Sequence, residues 1–182
     1  MEFALLLPVL VLILFGIIDF GNLYNNYQAV RQGARDGMRQ AVVADPGVQS
    51  GCTVTGGNVP VSGPATDWIC YTKRRVGLDQ NSTRVRLLWK APVVGATDQN
   101  PFPAGSPLMV CVQYKASSLS GLLAPFINNK VLNTQAETLI EQDNADTLST
   151  FPAPSNGVYD VHEDSLNNNT AGWPSSCDPS KL

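Results

Sequence analysis

The chain has 182 residues, a formal net charge of -3 and 15% charged residues. A balance this close to neutral gives no ground for nucleic-acid binding by bulk charge, and the length suits one domain of ordinary size with an appendage. With 15 glycines and 13 prolines, loops are expected to be plentiful.

The first predicted element is helical. Phe3 to Ile18 runs without a charge, bracketed by Glu2 and Asp19. With Asp19, Phe20, Gly21 and Leu23 added, the run approaches the roughly 20 apolar residues of a bilayer crossing. A secretory signal peptide competes with this reading, but it would want a basic start and a small-residue cleavage pattern. The start here is acidic, and "DFGNLYNNYQ" follows. A plain membrane anchor explains the apolarity and leaves Glu2 unexplained. Pro8 deletes one helical hydrogen bond at a cost of roughly 3 kcal/mol. With Gly16 it marks a place where the helix can kink.

The helical pattern continues beyond the run. Leu23, Tyr27, Val30, Ala34, Met38 and Ala41 recur at steps of three and four, which is one helix face. Arg31, Arg35 and Arg39 form a separate row. "ADPG", with Asp45, Pro46 and Gly47, reads as the stop. A helix of about 44 residues is about 65 Å long. Its first half suits lipid or an apolar bundle, and its second half suits a partner surface.

This layout, a helix first apolar and then amphipathic leading into a cysteine-bearing domain, resembles a type IV pilin-like subunit. The opening resembles the TadE family of pseudopilins more specifically. Glu-Phe-Ala-Leu, a proline and Phe-Gly-Ile-Ile-Asp-Phe-Gly fall in order, followed by Gly33-Ala34-Arg35-Asp36-Gly37 where the family has an Ala/Arg/Gly-rich stretch. The likeness covers about the first 44 residues and is loose thereafter. It implies a tight-adherence (Tad, or Flp) pilus system.

Family members carry a short basic leader, cut by a prepilin peptidase a few residues before the glutamate. Here Met1 alone precedes Glu2. Met1 is then the start of a trimmed chain, an artificial start, or the residue that cutting exposes. In related pilins the equivalent acid pairs with the terminal amine of a neighbouring subunit. An acid in an apolar setting is costly unless paired. The expected polymerisation and register residues are therefore Glu2, Phe3, Pro8, Gly16 and Asp19. Glu2 would pair with an amine. Asp19 would mark the lipid or bundle boundary, pair with a neighbour's arginine, or simply sit exposed. Leu23, Tyr27, Val30, Ala34 and Met38 are the expected packing face.

After Pro46 the composition shifts to Gly, Pro, Thr and Val. The four cysteines Cys52, Cys70, Cys111 and Cys177 contain no CxxC pair, which argues against zinc and redox motifs. An even number favours two disulfides and an oxidising compartment, with buried thiols as the alternative. The expected pairs are Cys52–Cys70, closing a short Gly-rich loop, and Cys111–Cys177.

"WICYTKRRVGL" reads as strand or short helix, with Trp68, Ile69 and Tyr71 for packing. Val85, Leu87 and Trp89 alternate with Arg84, Arg86 and Leu88 as a half-buried strand. Leu108, Val110, Val112 and Tyr114 oppose Met109, Cys111 and Gln113 in the clearest strand of the chain. "SGLLAPFINNK" reads as a helical turn or loop, and "KVLNTQAETLIEQ" as strand on the family likeness, since it has no clean period.

The expected fold class is α+β: a long N-terminal helix packed on a small antiparallel sheet of three or four strands, pilin-like. The expected divisions are 1–45 for the transmembrane and polymerisation helix, 46–146 for the extracytoplasmic β-rich domain, and 147–182 for a loop-rich tail strapped down by Cys177 and Trp173.

Charge is uneven. Asp67 to Lys130 holds three acids and eight bases, while Glu137 onward holds eight acids and Lys181. Docking of the tail on the basic middle is the plain reading, and a surface, polysaccharide or DNA partner the sharper one. Asp160, Asp164 and Asn167 near His162 would serve calcium, but without the 12-residue ligand pattern a solvated acidic loop is preferred. Neither GxSxG nor a P-loop is present. Asn81 and Asn168 fit the glycosylation triplet, which is common by chance.

The expected function is therefore structural. The chain reads as a non-enzymatic, cofactor-free pilin or pseudopilin, held in the bacterial inner membrane and then extracted into a homo-oligomeric extracellular filament with other pilin subunits. Its partners would be the prepilin peptidase and assembly machinery, and its outer domain would serve adhesion to host surfaces, biofilm formation or DNA uptake. The alternatives are a membrane-anchored monomeric binding domain and, less well supported by one histidine, a secreted hydrolase.

Overall fold

A computed structural model describes residues 2–42, 49, 51–61, 63–90, 105–128, 130–141, 157–166 and 172–182. The chain opens with α1, Glu2–Val42, followed by α2, Pro64–Val76. Strands β1 (Thr83–Lys90), β2 (Pro107–Lys115), β3 (Val131–Leu139) and β4 (Val158–His162) form one antiparallel sheet in the order β3-β2-β1-β4. A short helix, α3 (Ala124–Ile127), interrupts the β2–β3 connection. The α+β architecture expected from the sequence is present. The stop expected at Asp45–Gly47 lies outside the described residues.

Alternation along the strands sets the layers. Val85, Leu87 and Trp89 pair with Val112, Val110 and Leu108 and face α1 and α2. On the opposite face Leu88, Met109 and Cys111 pack with Val158 and Cys177, with Trp173 and Leu182 at the margin. β2 is covered on both faces, so Leu108 to Tyr114 are all buried.

The segment beginning at Trp68, expected as strand or short helix, lies in α2. Pro64 stands in its first turn, where no N–H is needed, and Lys73, Arg74 and Arg75 lie in its last. Gly77 ends it in the left-handed conformation, φ 68°, donating its N–H to Lys73 O.

Helix α1 approaches α2 through small residues. A Cβ on Gly33 would lie 2.7 Å from the Cα of Val76, and one on Gly37 would lie 2.9 Å from Thr72 Cγ2. Gly33 and Gly37 are therefore positions of close approach, Gly33 against the backbone of Val76 and Gly37 against the side chain of Thr72. This gives the Gly-Ala-Arg-Asp-Gly stretch a packing reason, while Arg35 of the same stretch faces out.

The tail is not only loop. β4 pairs with β1 through Val161↔Leu87 and Tyr159↔Trp89, making it an edge strand of the sheet. The rings of Trp89 and Tyr159 stack at 5.1 Å. A strand of five residues, set apart from the other three by a long connection, carries little periodic signal. The expected disulfides Cys52–Cys70 and Cys111–Cys177 are both present, the second fixing the last residues to the central strand.

Candidate functional site

Two regions carry the groups that distinguish this chain: the first half of α1, and the polar seat where it enters the domain.

From Leu6 to Ile18 the large apolar side chains are exposed around the whole helix, with Phe20 and Tyr24 beyond them. The described part of this helix is long and apolar enough to cross a membrane, with a mean hydropathy of 2.3 in its best window. Such a surface is not stable in water and requires lipid or apolar protein around it. The helix is continuous through Pro8. Gly16 has no atom of the chain near the place a Cβ would take. Glu2 and Phe3 lie on the helix, and their side chains fall outside the described residues.

At Asp19 the environment changes. Its side chain is 0% exposed. One carboxylate oxygen accepts the backbone N–H groups of Leu119 (3.0 Å) and Ser120 (2.9 Å). The other accepts the hydroxyls of Ser118 and Ser120, each at 2.7 Å. The two serine oxygens in turn accept N–H groups from Gly121 and Leu122. Four donors satisfy the carboxylate inside its own chain, with no arginine among them. Simple exposure, one of the expectations for Asp19, is therefore replaced by a latch between α1 and the β2–β3 connection.

Beyond the latch the helix is domain-facing on one side. Val30, Ala34 and Ala41 are in the core, with Met38 packed against it. Asn26, Gly33 and Gly37 complete the buried face, which the hydrophobic period alone did not include. Leu23 is half-buried, and Tyr27 stands at the margin, 37% exposed.

A second polar node sits under the sheet. Lys73 on α2 and Glu163 after β4 are both fully buried and lie 2.6 Å apart. The ammonium also donates to Thr53 O, and the carboxylate accepts the N–H groups of Thr55 and Val85. Burial pushes the Lys73 ammonium below the ordinary lysine range, and the Glu163 charge opposes that shift. Arg86 forms the companion pair, donating Nε and Nη2 to the two oxygens of Asp160 at 2.9 and 2.7 Å and Nη1 to Cys177 O. Burial pushes the Asp160 carboxyl up, but the bonds from His162 and Arg86 outweigh it and hold it below the usual range. The basic middle thus docks the acidic tail within one chain.

The acidic cluster is accordingly not a solvated loop. Asp160 holds Arg86 and His162, Glu163 holds Lys73, and Asp164 accepts Gly57 N. Asn167 and Asn168 lie outside the described residues. Among the described residues no group of three or more His, Cys, Asp and Glu is arranged to hold a metal ion. Neither Asp19's partners nor the Lys73–Glu163 pair had a signal in the sequence, because each joins segments 90 or more residues apart.

No curated protein and no solved structure matches the chain. The model of the family described as "TadE-like protein" matches residues 1–39, which span the exposed apolar arm, Asp19 and the Gly33–Gly37 contact. Over these 39 residues, and not over the rest, the chain is similar to the TadE-like family, which supports a link to Tad pilus systems.

Proposed function

We propose that this chain is a structural pilin or pseudopilin subunit of a Tad-type filament, with no enzymatic role and no cofactor. The observation that carries the reading is the changeover at Asp19. On one side the helix is apolar all round and unpartnered, and on the other it is packed into a disulfide-bonded domain. The arm resides in the inner membrane before assembly. It then exchanges lipid for the arms of other copies and other pilin subunits, which form the filament interior. Prepilin peptidase and the pilus assembly machinery act on the chain at this stage. The domain faces outward on the extracellular pilus, where adhesion to host surfaces or polysaccharide, biofilm formation or DNA uptake takes place.

In this reading Glu2 sets register: it must pair with an amine when the arms bundle, and slipped neighbours leave it unpaired in an apolar interior. Phe3, Pro8 and Gly16 shape the same bundle. The test is Glu2→Ala, assayed by shearing cells and pelleting fibres while following membrane insertion. Loss of fibres with insertion intact is expected. Normal fibre yield contradicts the register role, and wild-type chain that stays with membranes until detergent is added supports a monomeric anchored domain instead.

A further inference from the structure

The β2–β3 connection that holds Asp19 presents a second apolar surface. Ser118 N donates to Asn128 Oδ1 at 2.8 Å, and Ala116 N donates to Lys130 O at 2.8 Å, so the two ends of the loop are tied together. Ile127 is buried and fixes the loop to the domain. Between these ties Leu119, Leu122 and Phe126 point outward, Leu119 and Phe126 being 70% and 71% exposed. Isolated exposed leucines are ordinary, but three large apolar side chains on one closed loop are not.

The position of this loop names its occupant. Asp19 ends the uncharged apolar run, and its carboxylate bonds the backbone of Leu119 directly. The loop tip is therefore held beside the end of the uncharged run. Lys115 and Lys130, both exposed, stand at the loop's neck, Lys115 next to Ala116 and Lys130 accepting the Ala116 N–H. Apolar side chains at the tip with lysines set behind them match a lipid interface, where the first enter the acyl boundary and the second meet anionic headgroups.

We infer that the 117–128 loop is a second membrane contact, through which Leu119, Leu122 and Phe126 insert into the outer face of an anionic phospholipid bilayer and hold the domain against it before assembly. This rests on the reading that the arm spans the membrane. Extraction into a filament then has to free both the arm and the loop.

The test uses the full chain reconstituted in phosphatidylcholine vesicles with or without phosphatidylglycerol, the acyl chains brominated near the headgroup to read the loop and near the methyl end to read the arm. Phe126→Trp places a tryptophan at the loop tip and Leu10→Trp places one in the arm, each read against the unsubstituted chain. The expected result is loss of most of the added emission for both variants in brominated anionic vesicles. For Phe126→Trp this loss is smaller without phosphatidylglycerol or with Lys115→Glu and Lys130→Glu added. Quenching of Leu10→Trp with an unquenched Phe126→Trp overturns the loop contact and leaves the anchor intact. Quenching of neither overturns the anchor reading and this inference with it. Phe126→Trp emission that changes with protein density rather than with bromination assigns the loop to a second copy, and also overturns it. Quenching indifferent to both lipid charge and the lysines overturns the headgroup part.

Discussion

Asp19 accepts both the backbone N–H and the hydroxyl of Ser120, a residue 101 positions further along the chain. A single acid at the end of an apolar run thereby fixes where the helix stops being an arm and becomes part of a domain. Asp19→Ala removes all four hydrogen bonds and leaves the N–H groups of Leu119 and Ser120 without that acceptor. Amide exchange at Leu119 and Ser120 should accelerate by about tenfold or more. Asp19→Asn should lie between, because its carbonyl still accepts the two N–H groups while its amide displaces the serine hydroxyl protons. Unchanged exchange in Asp19→Ala would show that the loop is held by other contacts.

The Lys73–Glu163 pair is buried on both sides, so breaking it leaves an uncompensated charge. Lys73→Met or Glu163→Gln should each cost about 3–5 kcal/mol in denaturant unfolding. The double variant should cost less than the sum, since the second change relieves the charge the first stranded. Strict additivity would mean the two groups act through their backbone partners rather than through each other.

Much of the sheet could be read before any coordinates. Val85-Leu87-Trp89 and Leu108-Val110-Val112-Tyr114 alternate because each strand has a covered face. α2 was ambiguous because Trp, Ile and Tyr favour strands, although Pro64 and Gly77 stand where a helix of this length would start and stop. β4 was hidden inside a tail read as loop. The arm was legible from apolarity alone. The latch was not, since nothing local to Asp19 points to the Ser118–Ser120 segment. The small residues Gly33 and Gly37 were visible as a motif without a reason until α2 lay across them.

That reason has a measurable consequence. Gly33→Ala would put a methyl against the backbone of Val76 and should cost about 1–3 kcal/mol. Gly37→Ala meets only the Thr72 side chain, which can turn, so it should cost less. Equal effects on thermal unfolding would contradict the difference in close approach.

Acid should weaken the docking of the tail. Asp160 has a depressed carboxyl, and so does Asp79, chiefly through the Ser82 hydroxyl. A depressed carboxyl contributes stability that is present above its unfolded value of about 4 and is lost as pH falls through the folded value. The unfolding temperature should therefore be flat above about pH 5 and fall below about pH 4, with Asp160→Asn showing a shallower fall. A decline that begins near neutrality would point to a different group.

The two disulfides close loops of different length, with sequence separations of 18 and 66. Removing Cys111–Cys177 by paired serine substitution should cost about 4 kcal/mol against about 3 for Cys52–Cys70 on the chain-entropy account. The reverse order in denaturant midpoints would show that strapping the C-terminal segment matters less than tying α2 to the loop before it.

The central claim is that the arm preceding Asp19 is made to be covered by other copies of itself. Electron microscopy of the fraction sheared from cells expressing the wild-type chain tests this most directly. Filaments that contain the chain and are lost in Glu2→Ala are the expected result. Sheared fractions without the chain, with every copy recovered from membranes as a detergent-solubilised monomer, would contradict it.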